Sequence, residues 1–421
     1  MAKVFIPVLR NTSMLNSLTY YIGCVSGDAS ITTPEAEVQV KYNVAGTFSN
    51  SQLTVTANTL NGATTLRVRI NGANGNGVVS VSSSTTGYFE DTSNTDTISA
   101  NDLINFSIAT AGSSGSVTTF ACGIIFDASS NNFNRFAGGF NGFSTASVTR
   151  YYPLAGAGTV TSTEANTKLT VKNSFTSQNF YVYIASNART TTTTLRTRKN
   201  GANGAMSVSV TTGATGVFED NSNTDSLVSG DTYNLALTTG TGTGSIQPRT
   251  TSVALVNSND QFLSMGSGGT ARIVTAGSTL YAEAGADCLA TSTTEAHVAL
   301  RVRDITRMSN FTAYISFNNS NVTATAVTRI DGADGNQTFS VGAGATGTFT
   351  DSTNTDLLSV TSKINFKYSA PAGTGGTDFR LVSVHFSPAT SIKTILGLAV
   401  ASVKTVDGLA IASVKNYNGL A

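Results

Sequence analysis

Carboxylates with a spacing suited to chemistry recur along this chain. FEDTSNTD brings Glu90, Asp91 and Asp96 close together, and FEDNSNTD does the same with Glu219, Asp220 and Asp225. Paired carboxylates can divide proton donation and acceptance between them. A third version, FTDSTNTD, keeps Asp351, Asn354 and Asp356 but carries Thr350 in place of the glutamate. Asp and Asn so spaced more commonly hydrogen-bond the local backbone of a turn, and the loss of one glutamate favours that reading. DGADGN offers oxygens from Asp331, Asp334 and Asn336, as a calcium loop would. Its counterparts RINGANGN and RKNGANGA put Asn71 and Asn74, then Asn200 and Asn203, where the two aspartates stand, which removes both carboxylates.

Other constellations are thin. The chain has two histidines, His297 and His385, neither at a repeated position, so a catalytic triad or a histidine metal site lacks partners. The glycines of RINGANGN are followed neither by a helix nor by a Lys-Ser/Thr pair, as a phosphate cradle would require. Cys24, Cys122 and Cys288 occupy non-equivalent places, which excludes a repeated disulfide framework and predicts buried thiols. Tyr151 and Tyr152 in RYYPLAG are candidates for stacking on sugars, although strand aromatics more often serve a core. The expectation is therefore a protein that is not an enzyme and holds no cofactor or metal.

The elements that would position these residues are repeated. The two steps that lead from Asn71 to Asn200 and on to Asp331 also relate Glu35, Glu164 and Glu295, then Phe89, Phe218 and Phe349, then Asp96, Asp225 and Asp356. Steps of this length far exceed a solenoid unit of roughly 20–50 residues, so each copy should be a domain with its own core. Boundaries are expected near 128 and 258, giving domains over 1–128, 129–258 and 259–388 and a tail over 389–421. Within a copy, EVQVKYNV, QLTVTAN, TLRVRI, VVSVS and LINFSI alternate apolar with polar residues and are broken by Gly, Asn or Asp. The fold class is all-β: three tandem antiparallel β-sandwich or jelly-roll domains plus a short β-rich C-terminal assembly tail. Asn71-Gly72, Asn200-Gly201 and Asp331-Gly332 then read as structural turns between strands, because Asn, Asp and Gly accept positive φ.

Composition excludes several partners. Charged residues make up 12% of the 421, against about 25% in ordinary domains. With 25 Lys+Arg against 24 Asp+Glu, the net charge of +1 leaves no excess for a phosphate backbone, so no nucleic acid is expected. Basic residues form no run that would hold an anionic membrane. No stretch approaches the roughly 20 apolar residues of a spanning helix, and MAKVFIPVLRNTSMLN lacks the apolar run of a signal peptide.

The tail repeats as IKTILGLAVAS, VKTVDGLAIAS and VKNYNGLA, aligning Lys393, Lys404 and Lys415, then Gly397, Gly408 and Gly419. A period of about 11 residues can mean a right-handed coiled coil, but a glycine in every repeat weighs against a helix. Asp407-Gly408 and Asn418-Gly419 read as hairpin turns between strands of about five to eight residues. Small apolar strands with nothing to cover them suggest an assembly element that pairs with a neighbour by strand addition.

The order LRTRKNG, GVFEDNSNTDSLVSGDTYNLAL and TTSVALVN resembles the C-terminal half of C1q/TNF-like jelly rolls, and TTFACGIIF (118–126) is similar to their closing strand. The Gly-Asp turn of that pattern is Gly230-Asp231 in the second copy, Asn101-Asp102 in the first and Thr361-Ser362 in the third, where the match departs. Each copy also resembles the RKNGA β-domains of tailed-phage accessory virion proteins, whose tails carry strings similar to VKTVDGLA. The resemblance implies a non-enzymatic virion structural protein, a capsid decoration or a tail or fibre component, made in the host cytoplasm. It implies as partners other virion proteins or identical subunits reached through residues 389–421, and a homo-oligomer such as a trimer or a pseudo-threefold unit. A carbohydrate- or receptor-binding module meeting a host surface glycan, or a subunit of an extracellular filament, are the alternatives.

Overall fold

The computed structural model describes residues 3–9, 12–24, 34–130, 133–138, 146–154, 156–157, 160–256, 261–266, 272–283, 291–303 and 307–387, with four two-residue strands between 394 and 410. In the first stretch the strands are β1 (Lys3–Leu9), β2 (Thr12–Leu15), β3 (Thr19–Ile22), β4 (Val40–Lys41), β5 (Gly46–Asn58), β6 (Thr64–Ile70), β7 (Ala73–Val81), β8 (Gly87–Ile98), β9 (Leu103–Thr110) and β10 (Ser116–Ala128). One sheet runs β1-β10-β5-β8, with β2 also on β10. The other runs β3-β9-β6-β7, with β4 on β9. The chain passes back and forth between the two sheets, which is a jelly-roll order. Strands between Phe133 and Val256 repeat this plan, and so do strands between Gln261 and Ser387. Gly156–Ala157 beside Phe133–Gly138 is the one parallel pairing among the described residues.

Alternation explains the inward faces. In β6, TTLRVRI buries Thr64, Leu66 and Val68 and turns the arginines outward. The cores are aromatic: Tyr42 meets Phe48 and Phe126 edge-on at 5.4 and 5.2 Å, and Phe311 stacks on Phe366 from the opposite sheet at 4.9 Å. β10 is different, because FACGIIF is buried on both faces. Cys122, Ile124 and Phe126 face the core shared by the first two sandwiches, while Ala121 and Ile125 join the core of the third. A continuous apolar run within an antiparallel sheet therefore marks a sheet whose outer face is covered.

Two features depart from the expected turns and strands. FEDTSNTD does not lie in a connecting turn; it runs within β8, whose extra residues bulge opposite β5. Ser49 pairs with Thr95 and Ser51 with Asp91, so Asn50, at φ 54°, faces three residues. The Asp91 carboxylate accepts the N–H groups of Ser93 and Asn94 that the ladder cannot serve there, at 3.0 and 3.1 Å. Three short 3₁₀ turns, Glu35–Glu37, Glu164–Thr167 and Glu295–His297, interrupt the strands. In the tail, Thr394–Ile395 pairs with Leu398–Ala399 and Thr405–Val406 with Leu409–Ala410, each antiparallel across two residues. Lys393, Gly397, Lys404, Gly408, Lys415 and Gly419 lie outside the described residues, as does Cys288.

Gly244, at φ +83°, lies so close to a neighbouring loop that a Cβ there would collide with the Ala188 carbonyl oxygen. Gly244→Ala is expected to destabilise the protein by about 1–3 kcal/mol, read as a lower midpoint in urea denaturation.

Candidate assembly site of arms and sockets

Each position of RINGANGN has a physical role. Asn71 and Gly72 have φ of 52° and 80°, Asn200 and Gly201 51° and 80°, and Asp331 and Gly332 51° and 83°. Positive φ at both central residues is the geometry of a two-residue hairpin turn. The arginine two positions before it folds back over the turn. Arg69 Nη2 donates to the Gly72 carbonyl and Nη1 to Asn74. Its Nε and Nη2 reach the Glu35 carboxylate at 2.8 and 3.0 Å. Arg198 does the same with Glu164, Asn203 and Gly201, and Arg329 with Glu295, Asp334 and Gly332. Tyr21, Tyr151 and Tyr281 lie under the three guanidiniums at 5.6, 5.6 and 5.9 Å. The next glycine clears a buried acid: a Cβ on Gly75 would lie 2.6 Å from Asp96.

The candidate carboxylates are consumed by these contacts. Asp96 accepts the N–H groups of Asn76 and Gly77. Asp225 takes Ala205 N, the Thr197 hydroxyl and Tyr233 OH, while Asp356 takes Asn336 N, the Thr328 hydroxyl and the Gln337 amide. At Asp351, burial alone would raise the carboxyl. The Asn354 amide and the N–H groups of Asn354, Thr338 and Thr353 outweigh it and hold the pKa at about 2. Asp91 and Asp220 are lowered against burial by equivalent donors. A second pairing steadies the turns. Asn71 Nδ2 donates to Asp102 at 2.8 Å and Asn200 Nδ2 to Asp231 at 2.7 Å. In the third copy the acid moves across: Asp331 accepts the Lys363 N–H at 2.8 Å, and Ser362 replaces the aspartate. Two facing carboxylates are thereby avoided.

Glu35, Glu164 and Glu295 each open one of the 3₁₀ turns, so the arginine clamp fixes an arm, and each arm lies against another sandwich. From the first arm, Glu37 pairs with Arg249 at 3.1 Å and accepts the Thr250 hydroxyl at its carbonyl, 3.0 Å away. Lys41 reaches Glu219 at 2.9 Å, and Tyr181 OH donates to the Gln39 carbonyl at 3.4 Å. The third arm lies on the first sandwich. Gln52 grips the Arg301 backbone at both ends, accepting its N–H at 2.9 Å and donating to its carbonyl at 2.7 Å. Glu90 receives both Arg301 and Arg303, and His297 packs on the Phe120 ring at 5.7 Å. Between the second and third sandwiches, Asn173 meets His385 at 3.2 Å, and Lys172 beside it is half-buried, which lowers its pKa from the usual lysine value. First meets second, second meets third, and third meets first.

Several sequence candidates are placed away from chemistry. His297 and His385 lie in seams between sandwiches. Cys24 and Cys122 are free and buried, and burial pushes the Cys24 thiol up to about 12. Tyr152 is buried and Tyr151 lies under Arg198, so the pair offers no exposed stacking platform. Asp334 is held by Arg329 and Lys367, two cations where calcium would need open oxygens. Among the described residues no three His, Cys, Asp or Glu side chains converge as metal ligands. The seam residues Glu37, Gln52, Arg249, Arg301 and Arg303 escaped the sequence reading. The signal of Glu37, Arg249, Arg301 and Arg303 was present as charge differences between otherwise matched copies, and that of Gln52 as a polar residue whose counterparts are Tyr181 and Thr312.

The chain is thus an all-β assembly of jelly-roll sandwiches joined by arm-and-socket seams. No protein-family model and no curated protein matches it. Among solved structures, one described as the triple jelly roll fold and turret assembly in an archaeal virus is 12% identical, with 91% of each chain covered and a TM-score of 0.20. Another, the atomic structure of Sulfolobus Turreted Icosahedral Virus, is also 12% identical, covering 91% of this chain and 92% of the other at a TM-score of 0.18. Likeness at this level supports no inference about role.

Arg329→Lys keeps the charge but loses the fork that spans Glu295, Asp334 and Gly332. It is expected to destabilise the protein by about 1.5–3 kcal/mol, measured as a urea midpoint. Asn71→Asp should destabilise by facing Asp102, and Asp102→Ser in the same chain should recover most of the loss in a double-mutant cycle. Asp351 contributes stability above the ordinary aspartate range of roughly pH 3.9, and this is lost as pH falls toward about 2. Asp351→Asn should therefore flatten the fall of the urea midpoint on acidification.

Proposed function

We propose that this chain is a non-enzymatic structural protein of a phage virion, a capsid decoration or tail component. One polypeptide supplies a block of three jelly rolls, and the tail over 389–421 attaches the block to other virion proteins or to identical subunits. The observation that carries the reading is the set of seams: Glu37, Lys41, Arg301 and Arg303, which differ between the copies, hold sandwich against sandwich. The acids with a catalytic-looking spacing are committed to backbone and side-chain donors, which also supports a structural role. The resemblance of the RKNGA repeats and of the VKTVDGLA tail to tailed-phage proteins points the same way.

The test is to purify particles of the phage that encodes the chain and quantify it by mass spectrometry. Particles should carry the native chain in stoichiometric amount, and its absence would overturn the virion assignment. The full chain with Val406→Asp and Leu409→Asp places charge in the tail hairpin. It should keep a folded body and fall at least about tenfold in particle content, whereas undiminished incorporation would remove the tail from the attachment role.

A further inference from the structure

The seams share one plan but are not interchangeable. At the arm position of Glu37, the second and third copies carry Asn166 and His297. At the socket position of Phe120 they carry Arg249 and Arg380. Glu37 therefore suits Arg249, while His297 suits the flat face of Phe120 and would meet a guanidinium in either other socket. At the position of Lys41, the copies carry Thr170 and Arg301, and opposite them the socket position of Glu90 becomes Glu219 and Thr350. The charged arms meet the two glutamates, while the threonine arm belongs to the socket that lacks one. Arg303 adds a second guanidinium to Glu90, where the first arm has Asn43. In the third sandwich's own socket, Arg301 and Arg303 would find threonine.

The third-to-first seam also differs in connectivity. The chain joins the first sandwich to the second and the second to the third, so only the third arm must find its socket without a neighbouring linker. It is the seam with two arginines on one carboxylate and with Gln52 bonding both ends of the Arg301 backbone. A head-to-tail interface of this kind closes a ring when it meets its own chain and propagates when it meets another.

We propose that the third arm and the first socket form an exchangeable specificity lock. In the native chain it closes the three sandwiches on themselves. When a chain's own socket is disabled, its third arm takes the first socket of a second copy. The inference rests on the seam contacts and not on the virion reading, and it is tested on the isolated full-length protein.

One variant, Glu90→Arg, disables the socket and leaves the arm intact. A second, Arg301→Glu with Arg303→Glu, disables the arm and leaves the socket intact. Small-angle X-ray scattering and light scattering on each alone should show a single chain with a larger radius of gyration than the native protein. Mixed in equal amounts, they should form a 1:1 complex of twice the chain mass, at least about tenfold tighter than either variant with itself. The chain carrying all three substitutions, with the charges reversed on both sides, should return to the native radius as a monomer. A Glu90→Arg chain as compact as the native one would overturn the proposal, and so would a mixture that stays monomeric. If Glu90→Arg lowers the far-ultraviolet β signal, the triple variant decides: recovery of fold and radius supports the lock, and failure to recover refutes it.

Discussion

Everything else in the molecule depends on a forked contact made three times, in which an arginine leaves a β-strand, folds over its own hairpin turn and grips a glutamate with two nitrogens. Guanidinium and carboxylate match as parallel donors and acceptors, so the pair fixes direction as well as distance. Arg69, Arg198 and Arg329 thereby hold the first residue of each 3₁₀ turn against the sandwich that bears it. An arm tethered at that point presents its next residues in one orientation, and the seams follow. The turn, which takes positive φ at both central residues because it is a two-residue hairpin, also supplies a carbonyl for the same guanidinium. Hairpin chemistry and assembly chemistry are thus one device.

The seams resemble the interior of a single domain more than contacts between beads. β10 buries side chains on both faces, and its Ala121 and Ile125 belong to the apolar core of a sandwich far away in sequence. Charge pairs lie at the rims of the seams, Lys41 with Glu219 between the first and second sandwiches and Arg301 with Glu90 between the third and first, partly exposed to solvent. Such rim pairs contribute more to the choice of partner than to its affinity. Apolar burial holds the sandwiches together, and the charges decide which surfaces meet.

Much of the architecture could be read from sequence, because period-two alternation is a property of single strands and the matched spacing of the three copies is a property of gene duplication. Asn-Gly carries its backbone preference with it, and Asn71 and Gly72 take positive φ. FEDTSNTD was harder: its Asp and Asn side chains mimic a turn locally while the strand continues through a bulge, so composition signals a break that register denies. The arms were invisible for a different reason. A single 3₁₀ turn has too few positions for periodicity to register. Glu37 and Arg301 acquire meaning only beside Arg249 and Glu90, partners that lie in other sandwiches of the chain. Signals of that range are missing from any short window.

Joining three non-identical sandwiches by peptide bonds has a consequence for how the unit withstands dilution. A ring of separate subunits comes apart when its subunits fall below their dissociation constant, and its completion depends on how many subunits a cell has made. Here each arm meets its socket at an effective concentration set by the chain itself, so the block is as complete at one molecule as at a thousand. Translation delivers the three parts in fixed ratio and fixed order. Each outer surface is also free to diverge, which a true threefold ring of identical chains could not permit.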